Sequence, residues 1–278
     1  MYNTKTYDVL VGKLRTFFKN RGFIEVPAQS RLSILAACEN PHSVATFEYD
    51  GLLWPLPQTG QMWLEYELLK NPTWPGCFCI TTSYRNEQTP IEGRHEKIFP
   101  MFEFESRGTI HQLKQIEMEL LVALGFGIPS SVQYEEMCQK YNTLILESEH
   151  EEQMQQDISN AISLEMFPLR THPFWNMDQN EDGLFNKIDV ILYGQETIGS
   201  AQRSCNSEKM KELFFSIAEG KYAEKLFELF GRNRVIAELD GFLKMEMFPR
   251  YGGGIGLTRL ARAYQLHKKE NLYEIEHE

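Results

Sequence analysis

Apolar residues recur at helical spacing over residues 6–21, through Val9, Leu10, Leu14, Phe17 and Phe18, and Gly22 follows. That pattern predicts an amphipathic helix ended by the glycine. The run Phe-Ile-Glu-Val at 23–26 predicts a strand. Residues 46–49 and 52–56 flank Asp50-Gly51, a two-residue turn signal, and predict a hairpin. QTGQMWLE, at 58–65, leads into a helix. CITTSYRNE (79–87) and IFPMFEFE (98–105) alternate as half-buried strands do. Between them QTPIEGRHE carries Pro90 and Gly93, which is loop chemistry, so an antiparallel hairpin with a long connection is expected. Residues 110–125 predict a helix through Leu113, Ile116, Leu120 and Leu121. Residues 134–165 are polar and Glu-rich, with weak periodicity, and read as a solvated surface. The apolar run 185–196 predicts a strand pair or one bent strand; 207–230 reads as helix, 242–247 as strand, and 256–268 as a helix with a buried face. No repeat, low-complexity linker or composition break divides the chain, so one domain over 1–278 is expected.

Length and composition narrow this little. The 278 residues suffice for one large domain or two small ones, and 42% hydrophobic content is ordinary for a globular chain. The formal net charge of −11 says more. An acidic chain has no general attraction for a polyphosphate backbone, so nucleic acid is not an expected partner, a local basic patch apart. The cysteines are Cys38, Cys77, Cys79, Cys138 and Cys205, an odd number in a chain that is not short, which argues against a disulfide framework. Cys77 and Cys79 share a face, but no second Cys/His pair stands at zinc-ligand spacing, so buried structural thiols are expected. The N-terminus is polar and no apolar run reaches the ~20 residues of a membrane span. A soluble, cytoplasmic protein is the expectation.

The 79–105 hairpin concentrates the chemistry. Arg85 and Glu87 lie two apart and share one face of the first strand; Glu103 and Glu105 share a face of the second. Arg94 and His95, on the connection, could close over a bound anion. Such a surface suits a ligand with a phosphate at one end and an amine donor at the other. The plainer account is a cross-strand ion pair on a solvated face.

Arg85-Asn-Glu87, then Arg94-His95, Phe99 and Glu103, resembles motif 2 of the class II aminoacyl-tRNA synthetases, closest to the asparaginyl/aspartyl branch. Gly252-Gly-Gly-Ile-Gly-Leu-Thr-Arg259 resembles motif 3, in the right order and at a plausible distance. The first helix with Gly22-Phe-x-Glu-Val26 looks like motif 1, although Pro27 stands two places early and Gln29 occupies the proline position. QTGQMWLE resembles the substrate loop Ser-Gly-Gln-Leu-x-x-Glu. Asp189-x6-Glu196-x6-Arg203 resembles the metal-and-substrate strand.

This resemblance implies an α+β fold, with a mostly antiparallel sheet of about six strands flanked by helices, in a homodimer. It implies ATP and Mg2+ as cofactors. Arg85 would meet the α-phosphate or the reacting carboxylate, and Arg259 the distal phosphates and one face of adenine. Phe99 would stack on the other face, Glu87 accept from the adenine amine, and Arg94 and His95 hold the outer phosphates. Asp189 and Glu196 would bind Mg2+, the alternative being surface carboxylates. Gln61, Glu65, Glu103 and Arg203 would bind the amino acid. An Arg203–Glu65 pair can read a side-chain amide, or it can hold the carboxylate and ammonium of an amino-acid head; a satisfied structural pair is the third account.

Two departures bear on function. The motif 1-like helix begins almost at residue 1, which leaves no room for the anticodon-reading OB-fold of this branch, so tRNA is not the expected partner. Thr258 stands where the synthetases carry an acidic residue, and GGGIG with a small hydroxyl residue before the arginine is similar to the ammonia-dependent asparagine synthetases. The expected reaction is therefore aspartate, ATP and ammonia to asparagine, AMP and pyrophosphate. The alternatives are activation of asparagine or aspartate for a non-tRNA acceptor, a nucleotide-binding regulator without catalysis, and, weakest, charging of tRNA.

Overall fold

Asn3 caps the first helix: its side chain accepts from the Lys5 amide at 2.8 Å. Helix α1 (Thr4–Lys19) turns Leu10, Leu14, Phe17 and Phe18 inward, and Gly22, at φ 78°, redirects the chain into β1 (Ile24–Glu25). The computed structural model describes residues 3–28, 41–87, 90–91, 93–94 and 96–277; His95, Gln29 and Cys38 lie outside the described residues. β2 (Thr46–Tyr49) and β3 (Leu52–Pro55) form a hairpin through Asp50-Gly51. Helix α2 (Gln61–Lys70) follows, then β4 (Gly76–Tyr84) paired antiparallel with β5 (Ile98–Arg107). Beyond them come α3 (Ile110–Leu124), β6 (Ser130–Gln133), α4 (Tyr134–Tyr141), α5 (Ser148–Asp157) and β7 (Ala161–Phe167). The second half holds β8 (Phe185–Leu192), β9 (Gln195–Arg203), α6 (Ser207–Ser216), α7 (Lys221–Phe230), α8 (Arg232–Leu243), β10 (Arg250–Gly256) and α9 (Leu257–His277). Among the described residues no helix is long and apolar enough to cross a membrane.

The main sheet has eight strands in the order β1-β4-β5-β10-β9-β8-β7-β6, with only β1–β4 and β6–β7 parallel. The α+β architecture is as expected; the count of about six is not. The additional strands lie where the pattern was weakest. Residues 134–165 are not merely a solvated surface: α4 and α5 turn Tyr134, Met137, Cys138 and Met154 inward, and β7 buries Ile162 and Leu164. Residues 242–247 form no strand, because Phe242 completes the buried face of α8. The strand is instead the glycine run. β10 lies between β5 and β9, and a β-carbon on Gly252 would collide with the Glu105 carboxyl and the Phe104 carbonyl. A strand without side chains shows no alternation, so periodicity cannot detect it.

Alternation on β5 divides the sheet into two faces. Phe102 and Phe104 point toward α1, where Phe18 lies 5.0–5.9 Å from the rings of Phe23, Phe78, Phe102 and Phe104. Phe18→Leu is expected to lower stability by about 1 kcal/mol, from lost ring–ring contact, as read by urea unfolding. Glu103 and Glu105 point the other way, onto the face partly covered by α2 and by the α6–α8 group around Trp175. Cys77 and Cys79 are buried there as free thiols, with burial pushing both pKa values up.

On the helical face Glu117 is a buried carboxyl of α3. The Ser200 hydroxyl beside it is turned to the Ile188 carbonyl at 3.1 Å, and burial pushes Glu117 from 4.5 up to about 8. A raised folded-state pKa contributes stability that is complete below the unfolded value and lost as pH rises through the folded one. Glu117→Gln is therefore expected to gain stability relative to the parent between about pH 5 and about pH 8, in urea titrations across that range.

Candidate active site

One cleft on the open face of the sheet gathers residues from six places in the chain. Arg85 and Glu87 come from just beyond β4, Arg94 and Glu96 from the β4–β5 connection, Phe99 and Met101 from β5. Glu196, Thr197 and Gly199 come from β9, Gly254 and Gly256 from β10, Thr258 and Arg259 from α9. Its volume is about 200 Å3. Arg85 and Glu87 fall outside the strand proper, but the Arg85 amide still donates to the Lys97 carbonyl at 2.7 Å, which extends the hairpin to the cleft. The Arg85 guanidinium stands 5.5 Å from the Phe99 ring. Arg259 donates to the Glu196 carbonyl at 2.8 Å and lies 3.7 Å from its carboxylate. The cleft thus combines an aromatic ring, Phe99, with three arginines, Arg85, Arg94 and Arg259.

Asp189 pairs across the β8–β9 ladder with Gly199. A β-carbon on Gly199 would stand 3.0 Å from Glu196 Oε1 and 3.6 Å from Asp189 Oδ1, so the glycine keeps open the space between the two carboxylates. Hard oxygen donors on either side of an open position fit a divalent cation such as Mg2+. Lys187 already holds Asp189 Oδ2 at 2.8 Å. Among the described residues no group of three His, Cys, Asp or Glu is placed to hold a metal, so further ligands would come from the nucleotide or from water.

Beside the cleft the sheet and α2 bury a cluster of charged side chains, the candidate amino-acid pocket. Glu103 holds the loop that opens α2: both its oxygens accept from the Gly60 amide, at 2.9 and 2.8 Å, and the Thr59 and Thr81 hydroxyls bind it as well. Burial nonetheless pushes its pKa up. Glu65 accepts from Arg250 Nε at 2.9 Å and Nη2 at 2.7 Å, from Asn176 at 2.7 Å and from Gln61 at 3.1 Å. Arg203 is bound instead to Glu105 Oε1, at 3.0 Å through Nε and 2.6 Å through Nη2, and stays 3.8 Å from Glu65. The expected Arg203–Glu65 pair is thus present as an ion pair at 3.8 Å without a hydrogen bond, while the hydrogen-bonded pairs are Arg203–Glu105 and Arg250–Glu65. Glu105 Oε2 is buried without a hydrogen-bond partner. Burial pushes Glu105 up to about 8, the Arg203 guanidinium opposing and the Glu65 carboxylate adding to the rise.

Arg85, Glu87, Arg94, Phe99, Glu196 and Arg259 thus share the cleft, with Asp189 at its edge, and Gln61, Glu65, Glu103 and Arg203 share the pocket. Glu103 anchors a loop there, with its oxygens already occupied. Arg250 and Asn176 escaped the sequence reading, and Glu105 was placed on the face of Glu103 without a role in the amino-acid site. The alternation that put Glu105 beside Glu103 was a usable signal for it. An arginine at the head of a glycine run and an asparagine in the loop before β8 carried none.

The family described as tRNA synthetases class II (D, K and N) matches residues 3–275. A protein of Encephalitozoon cuniculi (strain GB-M1) named "Probable aspartate--tRNA ligase, cytoplasmic" is 34% identical over 101 residues, 35% of this chain and 18% of that protein. The asparaginyl-tRNA synthetase of Pyrococcus horikoshii, in complex with asparaginyl-adenylate, superposes with a TM-score of 0.76 at 17% identity, over 94% of this chain and 64% of that one. The aspartyl-tRNA synthetase of Entamoeba histolytica superposes with a TM-score of 0.71 at 16% identity, over 94% of this chain and 55% of that one. The chain spans under two thirds of the length of these proteins, and at such identities the structural likeness is one of fold.

Proposed function

The chain belongs to the class II tRNA synthetases of the D, K and N group, and from that premise we propose that it activates an amino-acid carboxylate with ATP as an acyl-adenylate. One observation carries the reading: Arg85, Phe99, Glu196 and Arg259 line one cleft, and the strands β5, β9 and β10 that line it also carry Glu105, Arg203 and Arg250 of the buried charged cluster with Glu65. A carboxylate oxygen would attack the α-phosphorus, and the bond to the departing pyrophosphate would break. The attacking group is already ionised, so no general base is required. The work of the chain is positioning and charge stabilisation. Arg85 would grip the α-phosphate or the attacking carboxylate, Arg259 and Arg94 the outer phosphates, and Phe99 would pack on adenine, with Glu87 accepting from its amine. Asp189 and Glu196 would hold Mg2+, which when bound offsets phosphate charge.

The amino acid we propose is aspartate, with ammonia as acceptor and asparagine, AMP and pyrophosphate as products. The pocket contains three buried carboxyl groups, of Glu65, Glu103 and Glu105, against two buried guanidinium groups. An ammonium head entering first, among these acceptors, would leave the β-carboxylate toward ATP. Ammonia would then attack the acyl carbon of the adenylate, AMP would leave, and the nitrogen would lose a proton to solvent. A second reading is activation of asparagine through its α-carboxylate. The open Oε2 of Glu105 beside Arg203 favours it, as an acceptor and a donor that match an amide.

Incubation with ATP, Mg2+, aspartate and ammonia separates the two. Asparagine and AMP formation supports the first. Pyrophosphate exchange driven by asparagine alone, without that product, replaces it with the second. Exchange with no amino acid at all would remove the adenylation reading. The relatives named above are tRNA ligases, and filter binding of bulk tRNA at low salt tests that acceptor; with a net charge of −11, no retention is expected.

A further inference from the structure

The Glu-rich stretch between α4 and β7 places an acidic residue against Arg94 of the cleft. Glu151, on α5, accepts at a single oxygen, Oε2, from Arg94 Nη2 at 2.6 Å and from the backbone amide of Glu196 at 2.7 Å. Arg94 Nη1 donates to Glu152 at 3.2 Å and to the Gly194 carbonyl at 3.1 Å. Arg259 Nη2 reaches the Arg94 carbonyl at 3.4 Å. Glu152 is 62% exposed and contributes little, whereas Glu151 is 20% exposed and Arg94 10%. One carboxylate therefore ties an arginine of the cleft to the backbone of the residue that faces Asp189. Three of the five guanidinium donors of Arg94 are committed in these bonds, which leaves Nε and one hydrogen of Nη2 for an incoming anion. The side chain is held in place without being used up.

We infer that Glu151 is a positioning residue for the nucleotide, acting through Arg94 and the Glu196 backbone to preset the part of the cleft that takes the outer phosphates. The inference rests on the adenylation reading. Its chemistry is specific. In the adenylation reading Arg94 and Arg259 meet the outer phosphates, and the bond from Arg259 to the Arg94 carbonyl keeps the two side by side. Releasing Arg94 weakens a ligand with β- and γ-phosphates and leaves a monophosphate nearly unaffected. A purely structural role for Glu151 would weaken both alike.

The test is calorimetric titration of the full chain with Mg·ATP and, separately, with AMP. Glu151→Gln keeps the shape and removes the charge. It is expected to weaken ATP binding about tenfold and to change AMP binding less than about twofold. Arg94→Ala should show the same selective loss. The double variant should bind ATP no more weakly than Arg94→Ala alone, because the two residues act in series. Unchanged or tighter ATP binding in Glu151→Gln, equal losses for ATP and AMP, or additive losses in the double variant would each overturn the inference while leaving adenylation standing. Should Glu151→Gln fail to fold, Glu151→Asp decides, since it keeps the charge but shortens the reach to Arg94 and the Glu196 amide: a selective loss of ATP binding supports the inference, and an equal or absent loss overturns it. A parent protein that binds neither nucleotide removes both readings.

Discussion

Arg85→Ala is expected to reduce ATP–pyrophosphate exchange by about 10²–10³-fold, corresponding to about 3 kcal/mol of transition-state stabilisation, with the fold intact. The side chain leaves the hairpin just past β4, where the Arg85 amide remains pinned to the Lys97 carbonyl at 2.7 Å. Its backbone is therefore set by strand pairing and does not depend on the guanidinium. Arg85 lines the cleft with Phe99 at 5.5 Å and lies in no hydrophobic cluster, so truncation removes charge from the site and little from the core. A planar guanidinium binds two oxygens of a phosphate or carboxylate at once, and its stabilisation grows as charge shifts to the non-bridging oxygens in the transition state. Exchange assays at saturating ATP, with an unfolding curve alongside, separate the two contributions. Near-parental exchange in a folded variant would take Arg85 out of the mechanism.

Arg250→Met is expected to lower stability by about 3–5 kcal/mol, the largest loss anticipated for any single change in the pocket. Arg250 is fully buried, bonds Glu65 twice, at 2.9 and 2.7 Å, and reaches the Ser204 carbonyl at 3.2 Å. Methionine fills much of the volume but leaves the Glu65 carboxylate with only Asn176 and Gln61 as donors. Urea unfolding measures the loss. Pairing the change with Glu65→Gln should recover a substantial part of it, because the cost comes from a buried charge without a counter-charge and much less from lost packing. A loss under about 1 kcal/mol in the single variant would mean that the pair is screened like a surface salt bridge and that the pocket is wet.

The two pairs also show where reading along the chain stops. The spacing Asp189-x6-Glu196-x6-Arg203 was visible as spacing, since β8 and β9 are consecutive and their ladder sets the distance. The partner of Arg203 was not visible. Glu65 and Glu105 are both acidic and both on elements that face the pocket, and only the placement of β10 between β5 and β9 brings Glu105 to Arg203. Gly252 permits that approach, because any side chain there would occupy the space of the Glu105 carboxyl. The glycine run that resembles motif 3 thus makes room for a neighbouring carboxylate. Glu151 was legible only as one member of an acidic stretch, since nothing in its local sequence indicates that α5 folds back over β9.

What the linear order of residues determined by itself was local: the amphipathic α1, the Asp50-Gly51 hairpin, the alternating β4 and β5, and the motif spacings that imply nucleotide chemistry. The elements depend on periodicity and turn preference over fewer than about twenty residues, and the nucleotide chemistry is what the resemblance to the family's motifs implies. What only the folded chain decided was pairing over long separations. Eight strands formed where about six were expected, β10 settled in the centre of the sheet, and Arg250 rather than Arg203 became the hydrogen-bonded partner of Glu65. The physical reason is that a buried charge takes whichever counter-charge the sheet order brings within about 3 Å, and sheet order is a property of the whole chain.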